Sequence, residues 1–270
     1  MYKTNMLTQI NDEVEGRSYQ LDGTTKKFKS VTTLINYAKP KEGLLKWRAS
    51  VGEAEANKIT QTAATRGTEV HKLIEDYYKS KKTSVTQTCD NVFFNKFLPV
   101  LDLITPTAVE EKTYWVDEAT GRGFAGTYDM CGNVDTTKFI GRDSGVITSS
   151  NSVADWKNWN RAKYPVAQTK DGGKYYPLIG YYLQLSAYCA AINQRTNCIH
   201  EVSNAYIIGV TETCRSPFIY YLNDDAVMFY WDKMKNLVNC YYNNAKFDWE
   251  QMETEAERYG FLGERVDLVK

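Results

Sequence analysis

The strongest constraint on what this chain can fold into is the run Val153-Ala154-Asp155-Trp156-Lys157-Asn158-Trp159. Its small, β-branched and aromatic residues read as a strand inside a sheet, yet a carboxylate and an ammonium interrupt it. In an extended chain residues two apart share a face, so Asp155 and Lys157 point the same way. Burying that pair costs free energy unless each charge meets a partner. A carboxylate beside an amine could hold a hard divalent cation and a water poised to attack. The spacing is not specific by itself, since Glu110 and Lys112 repeat it.

The composition allows a globular core, with 43% apolar residues in a chain of 270. Acidic and basic residues are equal in number, so a nucleic-acid partner would have to be met by a local basic patch. Lys26, Lys27, Lys29, Lys39, Lys41, Lys46 and Arg48 crowd the first fifth, whereas Asp248 to Glu257 is acidic. The charge-free run Tyr175 to Gln194 contains Pro177, Gly180, Gln184, Ser186 and Asn193, too polar for hydrocarbon, and reads as a buried helix rather than a membrane span. Asp12, Glu13 and Glu15 argue against a targeting leader. The six cysteines (Cys89, Cys131, Cys189, Cys198, Cys214, Cys240) form no C-x-x-C, and scattered thiols fit a reducing compartment such as the cytoplasm.

Read in order, Ser18 to Leu21 and Lys27 to Lys29 predict a hairpin around Asp22-Gly23. Ser30 predicts an N-cap for a short helix, Val31 to Ala38, stopped by Pro40. A second helix is expected over Gly43 to Thr60, with Trp47 on its apolar side. A third is expected over Ala64 to Lys79, with Val70, Leu73, Ile74 and Tyr77 as its buried stripe and His71 at the stripe's edge. A helix near Asn91–Leu103 precedes strands at Val109–Val116 and Phe124–Cys131. An acid in the middle of the latter, Asp129, calls for a bound partner. Asn158 to Lys174 is polar, basic and aromatic, with Trp159, Arg161, Lys163, Tyr164 and Lys170. The Ile179–Ile192 helix sets Gln184 and Tyr188 four apart on one face. Strands follow at Val202–Val210 and Pro217–Leu222, then a long helix capped by Asn223 or Asp224. The tail from Trp249 onward carries no pattern.

The order of these features is helix with Gly67-Thr68-Glu69-Val70-His71, strand with Gly126-Thr127-Tyr128-Asp129, strand with Asp155-Trp156-Lys157, and helix with Gln184-Leu185-Ser186-Ala187-Tyr188. It resembles the PD-(D/E)xK nuclease superfamily in its RecB-like branch, over about residues 30–245. Ser30-Val31-Thr32-Thr33 and the late Tyr-Ile-Ile-Gly-Val strand (206–210) also resemble the mitochondrial genome maintenance exonucleases and their phage-encoded relatives.

The resemblance implies an α/β (α+β) fold with a restriction-endonuclease-like core, a central mixed sheet of four to six strands flanked by helices. The expected single domain (1–270) has a mainly helical portion over 1–105, a sheet core with the site over 106–222, and C-terminal helices over 223–270. It implies that His71, Asp129 and Asp155, with the Trp156 carbonyl, hold Mg2+ or Mn2+, that Lys157 is the catalytic lysine, and that Gln184 and Tyr188 border the site. Glu110 and Glu111 compete for the acid of the first strand. They should point to opposite faces, so one serves. Widely spaced Cys198, Cys214 and Cys240 imply no iron–sulfur cluster. The implied activity is metal-dependent exonucleolytic hydrolysis of phosphodiesters in single-stranded DNA or DNA ends, during replication, repair or recombination and alongside proteins of those processes. The compartment would be the cytoplasm, the host's if the chain is phage-encoded. Trp159, Arg161, Lys163 and Tyr164 are the candidate nucleic-acid contacts. An endonuclease on the same core and a non-catalytic DNA-binding protein are the alternatives.

Overall fold

The computed structural model describes residues 7–12, 14–80, 90–141, 151–168, 172–196 and 202–269. Three strands, β1 (Leu7–Asp12), β2 (Gly16–Leu21) and β3 (Lys27–Ser30), lead into four helices: α1 (Val31–Ala38), α2 (Glu42–Val51), α3 (Glu53–Lys79) and α4 (Val92–Leu101). The middle of the chain is β4 (Ile104–Val116), β5 (Gly123–Val134), β6 (Phe139–Gly141), β7 (Asn151–Trp159), β8 (Ala167–Gln168) and β9 (Lys174–Tyr175). Then come α5 (Ile179–Thr196), β10 (Asn204–Thr211), β11 (Phe218–Leu222), α6 (Asp224–Tyr242), α7 (Trp249–Arg258) and β12 (Glu264–Leu268).

Among the described residues, ten strands make one mixed sheet in the order β1-β2-β3-β5-β7-β10-β11-β12-β6, with β4 paired to β5. The fold is therefore α+β, as the pattern predicts, but the sheet is wider than four to six strands. The N-terminal hairpin extends it at one end. The tail, which carries no sequence signal, adds α7 and returns β12 to pair with β11 at the other. Residues 1–105 are mainly helical but also give β1, β2 and β3 to the sheet, and 223–270 add β12 to their two helices.

Two apolar layers sandwich the sheet. On one face α1, α5 and α6 cover Val153, Ala205, Ile207 and Tyr220. On the other α3 and α4 cover Met130, Ala154, Trp156, Tyr206 and Ile208. The alternation Val153, Ala154, then Asp155 and Trp156 is the two-residue period of a strand buried on both sides. The charge-free helix α5 is buried nearly all round, which explains why it carries no charge. Among the described residues no helix is long and apolar enough to cross a membrane.

Local chemistry sets most boundaries. Ser30 caps α1, accepting from the Thr33 N–H at 3.0 Å, and Asn223 caps α6 through the Ala226 N–H. The expected second helix divides differently. Gly52 adopts φ 85°, open to glycine at no steric cost, and the break falls there rather than near residue 60. The result is a short α2 with no buried residue, Trp47 only half-buried, and one 27-residue α3.

One close approach in the core is demanding. The ring of Trp159 lies against Gly209 on β10, where an added methyl would sit 2.3 Å from it. Gly209→Ala is expected to lower stability by about 1–3 kcal/mol in denaturant unfolding, because neither the buried ring nor the strand can yield. Gly43→Ala on exposed α2, with nothing within 4 Å of the new methyl, should leave stability unchanged or raise it. Equal, small effects at both positions would contradict this packing.

Candidate metal centre

The site forms where the sheet forks. One edge of β5 pairs with β3 as far as Ala125 and with β7 from Met130 onward. In the stretch between, Gly126-Thr127-Tyr128-Asp129, the first three keep their β4 partners, but among the described residues no strand pairs with it on this edge. Across the gap, the N–H and C=O of Trp156 on β7 lack a ladder partner in β5. A residue's two backbone groups point to the same edge of a strand, so both enter the gap and both need satisfying. Asp129 Oδ2 accepts from the Trp156 N–H at 2.7 Å, and His71 Nε2 donates to the Trp156 carbonyl at 3.1 Å.

His71 arrives on α3, anchored by buried Val70, Ile74 and Tyr77. Its Nδ1 donates to Glu110 Oε1 at 3.0 Å and stands 3.5 Å from Asp129 Oδ1. His71, Glu110 and Asp129 each offer a ligand atom, all within 4.8 Å of one another. Of the two acids, Glu110 and not Glu111 joins this group. The Glu111 carboxylate turns the other way and accepts from the Tyr128 hydroxyl at 3.1 Å. Glu110 has φ 52°, a left-handed conformation that costs about 1–3 kcal/mol in a residue with a side chain. Strain of that kind is retained where neighbours over-determine it, here the ion pair to His71.

Asp155 lies beside the three-ligand group rather than in it. It is 1% exposed and ion-paired to Lys157, and Oδ1 has no hydrogen-bond partner. Burial pushes its carboxyl above the usual carboxylate range, against the opposing pull of Lys157, with Asp129 adding to the rise. Burial opposes charge on Lys157, yet the Asp155 and Asp129 carboxylates outweigh it and hold the ammonium above its usual range. On His71 burial likewise disfavours charge, and Asp129 and Glu110 overcome it to raise the imidazole to about 9. A carbonyl and a carboxylate can only accept, so both ring nitrogens carry protons. Ligand atoms that a proton now bridges, next to an orphaned carboxylate oxygen, are a donor set that suits a divalent cation. One imidazole, several carboxylate oxygens and a carbonyl fit Mn2+ or Mg2+.

The helix motif borders this group. Tyr188, 3% exposed, packs against Gly126, where a methyl would come within 2.7 Å of its ring. Gln184 Nε2 reaches the Tyr188 hydroxyl at 3.4 Å, and no described hydrogen bond joins it to Lys157. The expected basic and aromatic contacts separate. Trp159 is 5% exposed and locked on Gly209, so it is a core residue and no base can stack on it. Arg161 and Tyr164 are exposed, Lys163 is half-buried, and Lys170 lies outside the described residues. Two contacts have no forecast in the motifs. Arg66 donates from α3 to Asn158 Oδ1 at 2.9 Å and Asn160 Oδ1 at 2.7 Å, tying the helix to the end of β7. Tyr181, one turn before Gln184 on α5, lies under Lys157, whose Nζ is 5.2 Å from its ring centre. Only its i−3 spacing from Gln184 could have signalled it.

No protein-family model matches the chain, and no curated protein matches it. Among solved structures, the crystal structure of SSO0001 is similar over 80% of this chain and 80% of its own, at 13% identity and a TM-score of 0.35. A likeness that distant carries no argument about function.

The raised imidazole gives a testable sign. Protonation of His71 favours the folded state, so its contribution is complete below about pH 6.5 and is lost as pH rises through about 9. With chelator present, the melting temperature of the wild type should fall across that window more than that of His71→Gln. Parallel pH profiles for the two proteins would show that the ion pair does not form.

Proposed function

We propose that the chain is a divalent-metal-dependent deoxyribonuclease of the RecB-like kind that hydrolyses phosphodiester bonds, acting on single-stranded DNA or DNA ends. The observation that carries the reading is the convergence of His71, Glu110 and Asp129 within 4.8 Å, beside the Trp156 carbonyl and the Asp155–Lys157 pair. Those residues come from one helix and three strands and meet at one fork, the arrangement that the order of sequence motifs implies.

The groups divide the work that phosphodiester hydrolysis needs. His71, Glu110, Asp129 and the Trp156 carbonyl would hold the cation, with the free oxygen of Asp155 alongside. A bound Mn2+ or Mg2+ supplies acidity to coordinated water and stabilises charge on phosphoryl oxygens. Lys157 stays charged at neutral pH, so it acts as a fixed positive field and hydrogen-bond donor rather than as a base. Asp155, whose carboxyl burial pushes above its usual range, turns its unpaired oxygen to the site and can accept a hydrogen bond from the attacking water. Tyr188 and Gln184, both buried, line the α5 side of the fork, Tyr188 in the field of Asp155 and Asp129.

Activity should require Mn2+ or Mg2+ and be lost with chelator. Lys157→Ala and Asp155→Asn should each lower the rate by at least about a hundredfold. His71→Ala should weaken metal binding as well as activity, measured by calorimetric titration with Mn2+. Unchanged DNA degradation by the Lys157 and Asp155 variants would remove the site. A wild type that binds DNA and cleaves none with either metal would favour the binding-protein reading. Attack on linear single strands but not closed circles makes the enzyme an exonuclease, and cutting of circles makes it an endonuclease.

A further inference from the structure

We propose that Lys163 and Tyr181 form a phosphate-binding subsite next to Lys157, in which Tyr181 is the positioning residue. This deepens the nuclease reading and rests on it. Lys163 Nζ donates to the Tyr181 hydroxyl at 2.7 Å and lies 4.8 Å from the centre of that ring. Its backbone is fixed as well, because the Lys163 carbonyl accepts from the buried Tyr220 hydroxyl at 2.5 Å. Tyr181 in turn stacks on buried Trp159, ring centres 6.5 Å apart and planes at 19°. Two ammonium groups therefore share one tyrosine held rigidly by the core.

The charges around that ring do not balance. Lys157 is neutralised by Asp155, whereas Lys163 has no carboxylate partner among the described residues. Burial by itself would raise the Tyr181 phenol, yet Lys163 and Lys157 hold it below its usual range. An ammonium has three donors, and the tyrosine takes one. The other two, on a half-buried side chain, suit the oxygens of a phosphate group. Lys157 and Lys163 stand 5.2 Å and 4.8 Å from the centre of one ring, so a second phosphate grip lies close to the first along a bound strand. The phosphate is either an internal linkage of that strand or its terminal group.

The test measures binding apart from cleavage. Fluorescence anisotropy of a labelled single-stranded oligonucleotide, with chelator present, is compared for wild type, Lys163→Gln, Tyr181→Phe and the double variant. Each single change should weaken binding about threefold to tenfold, and the double variant should be no weaker than the worse single one by more than about twofold. Lys163→Gln should also flatten the salt dependence of log K by about one phosphate contact. With Mn2+, the loss should fall on KM rather than kcat. Strands with and without a terminal phosphate distinguish the two sources: a variant defect confined to phosphorylated ends marks the terminal group. Wild-type affinity in both single variants, effects that multiply in the double variant, or a loss confined to kcat would overturn the subsite. The catalytic reading fails separately, if the wild type binds DNA in this way and cleaves none.

Discussion

The structure turns on an unfinished ladder. β5 is held by β3 at one end and by β7 at the other, and between them the backbone groups of Trp156 face a gap. Unsatisfied backbone groups at the centre of a sheet are costly, and here side chains from separate elements repair the defect. Asp129 reaches from β5 and His71 from α3, each to one group of the same peptide residue. Hydrogen bonding required for folding thus draws an imidazole and a carboxylate to one point. A chain that simply extended the β5–β7 pairing by three residues would be better hydrogen-bonded and would have no site.

Charge balance then decides what the point can do. Three acids and two bases meet in a partly buried volume, and none can be removed without leaving a neighbour uncompensated. The pairing is asymmetric. Glu110 and Asp129 support His71, which becomes a cation, while Asp155 supports Lys157 and is left with a free oxygen. One half would therefore exchange a proton for any cation bound there, and the other carries a positive charge beside a buried acid. The strained backbone of Glu110 marks where the strand gives up comfort to complete the first half.

Much of this is legible in the residues, and the illegible parts have physical causes. Asp129, Asp155 and Lys157 stand out because each sets a charge where burial is expected, whereas His71, at the edge of its helix stripe, is singled out by the order of the motifs. The choice between Glu110 and Glu111 is hidden because it depends on a left-handed residue and a register shift between Pro106 and Ala108. Alternation says the two acids diverge but not which one faces α3. Trp159 misleads for a related reason. Its polar, basic neighbours suggest a surface, but strand alternation continues one step past Lys157 and turns its ring inward onto Gly209. The tail is silent because α7 is short and polar on most of its surface, burying only Trp249, Met252 and Ala256. Gly52 decides the α2–α3 boundary through one dihedral angle, against a helical pattern that runs through it.

The motifs are also coupled sterically, which explains their company. Gly126 leaves room for the Tyr188 ring, so the glycine three residues before Asp129 and the tyrosine four residues after Gln184 are one packing unit. Gly209 and Trp159 make a second such unit two residues beyond Lys157. Gly126 lets a ring approach β5, the strand that carries Asp129, and Gly209 on β10 accepts the ring that ends the Asp155–Lys157 strand. Asp155, buried beside these units, is held above the usual carboxylate pKa, so it is the weaker acid that burial makes it. A methyl at Gly126 would therefore disturb more than stability, because the Tyr188 ring it would press on lies in the field of Asp155 and Asp129.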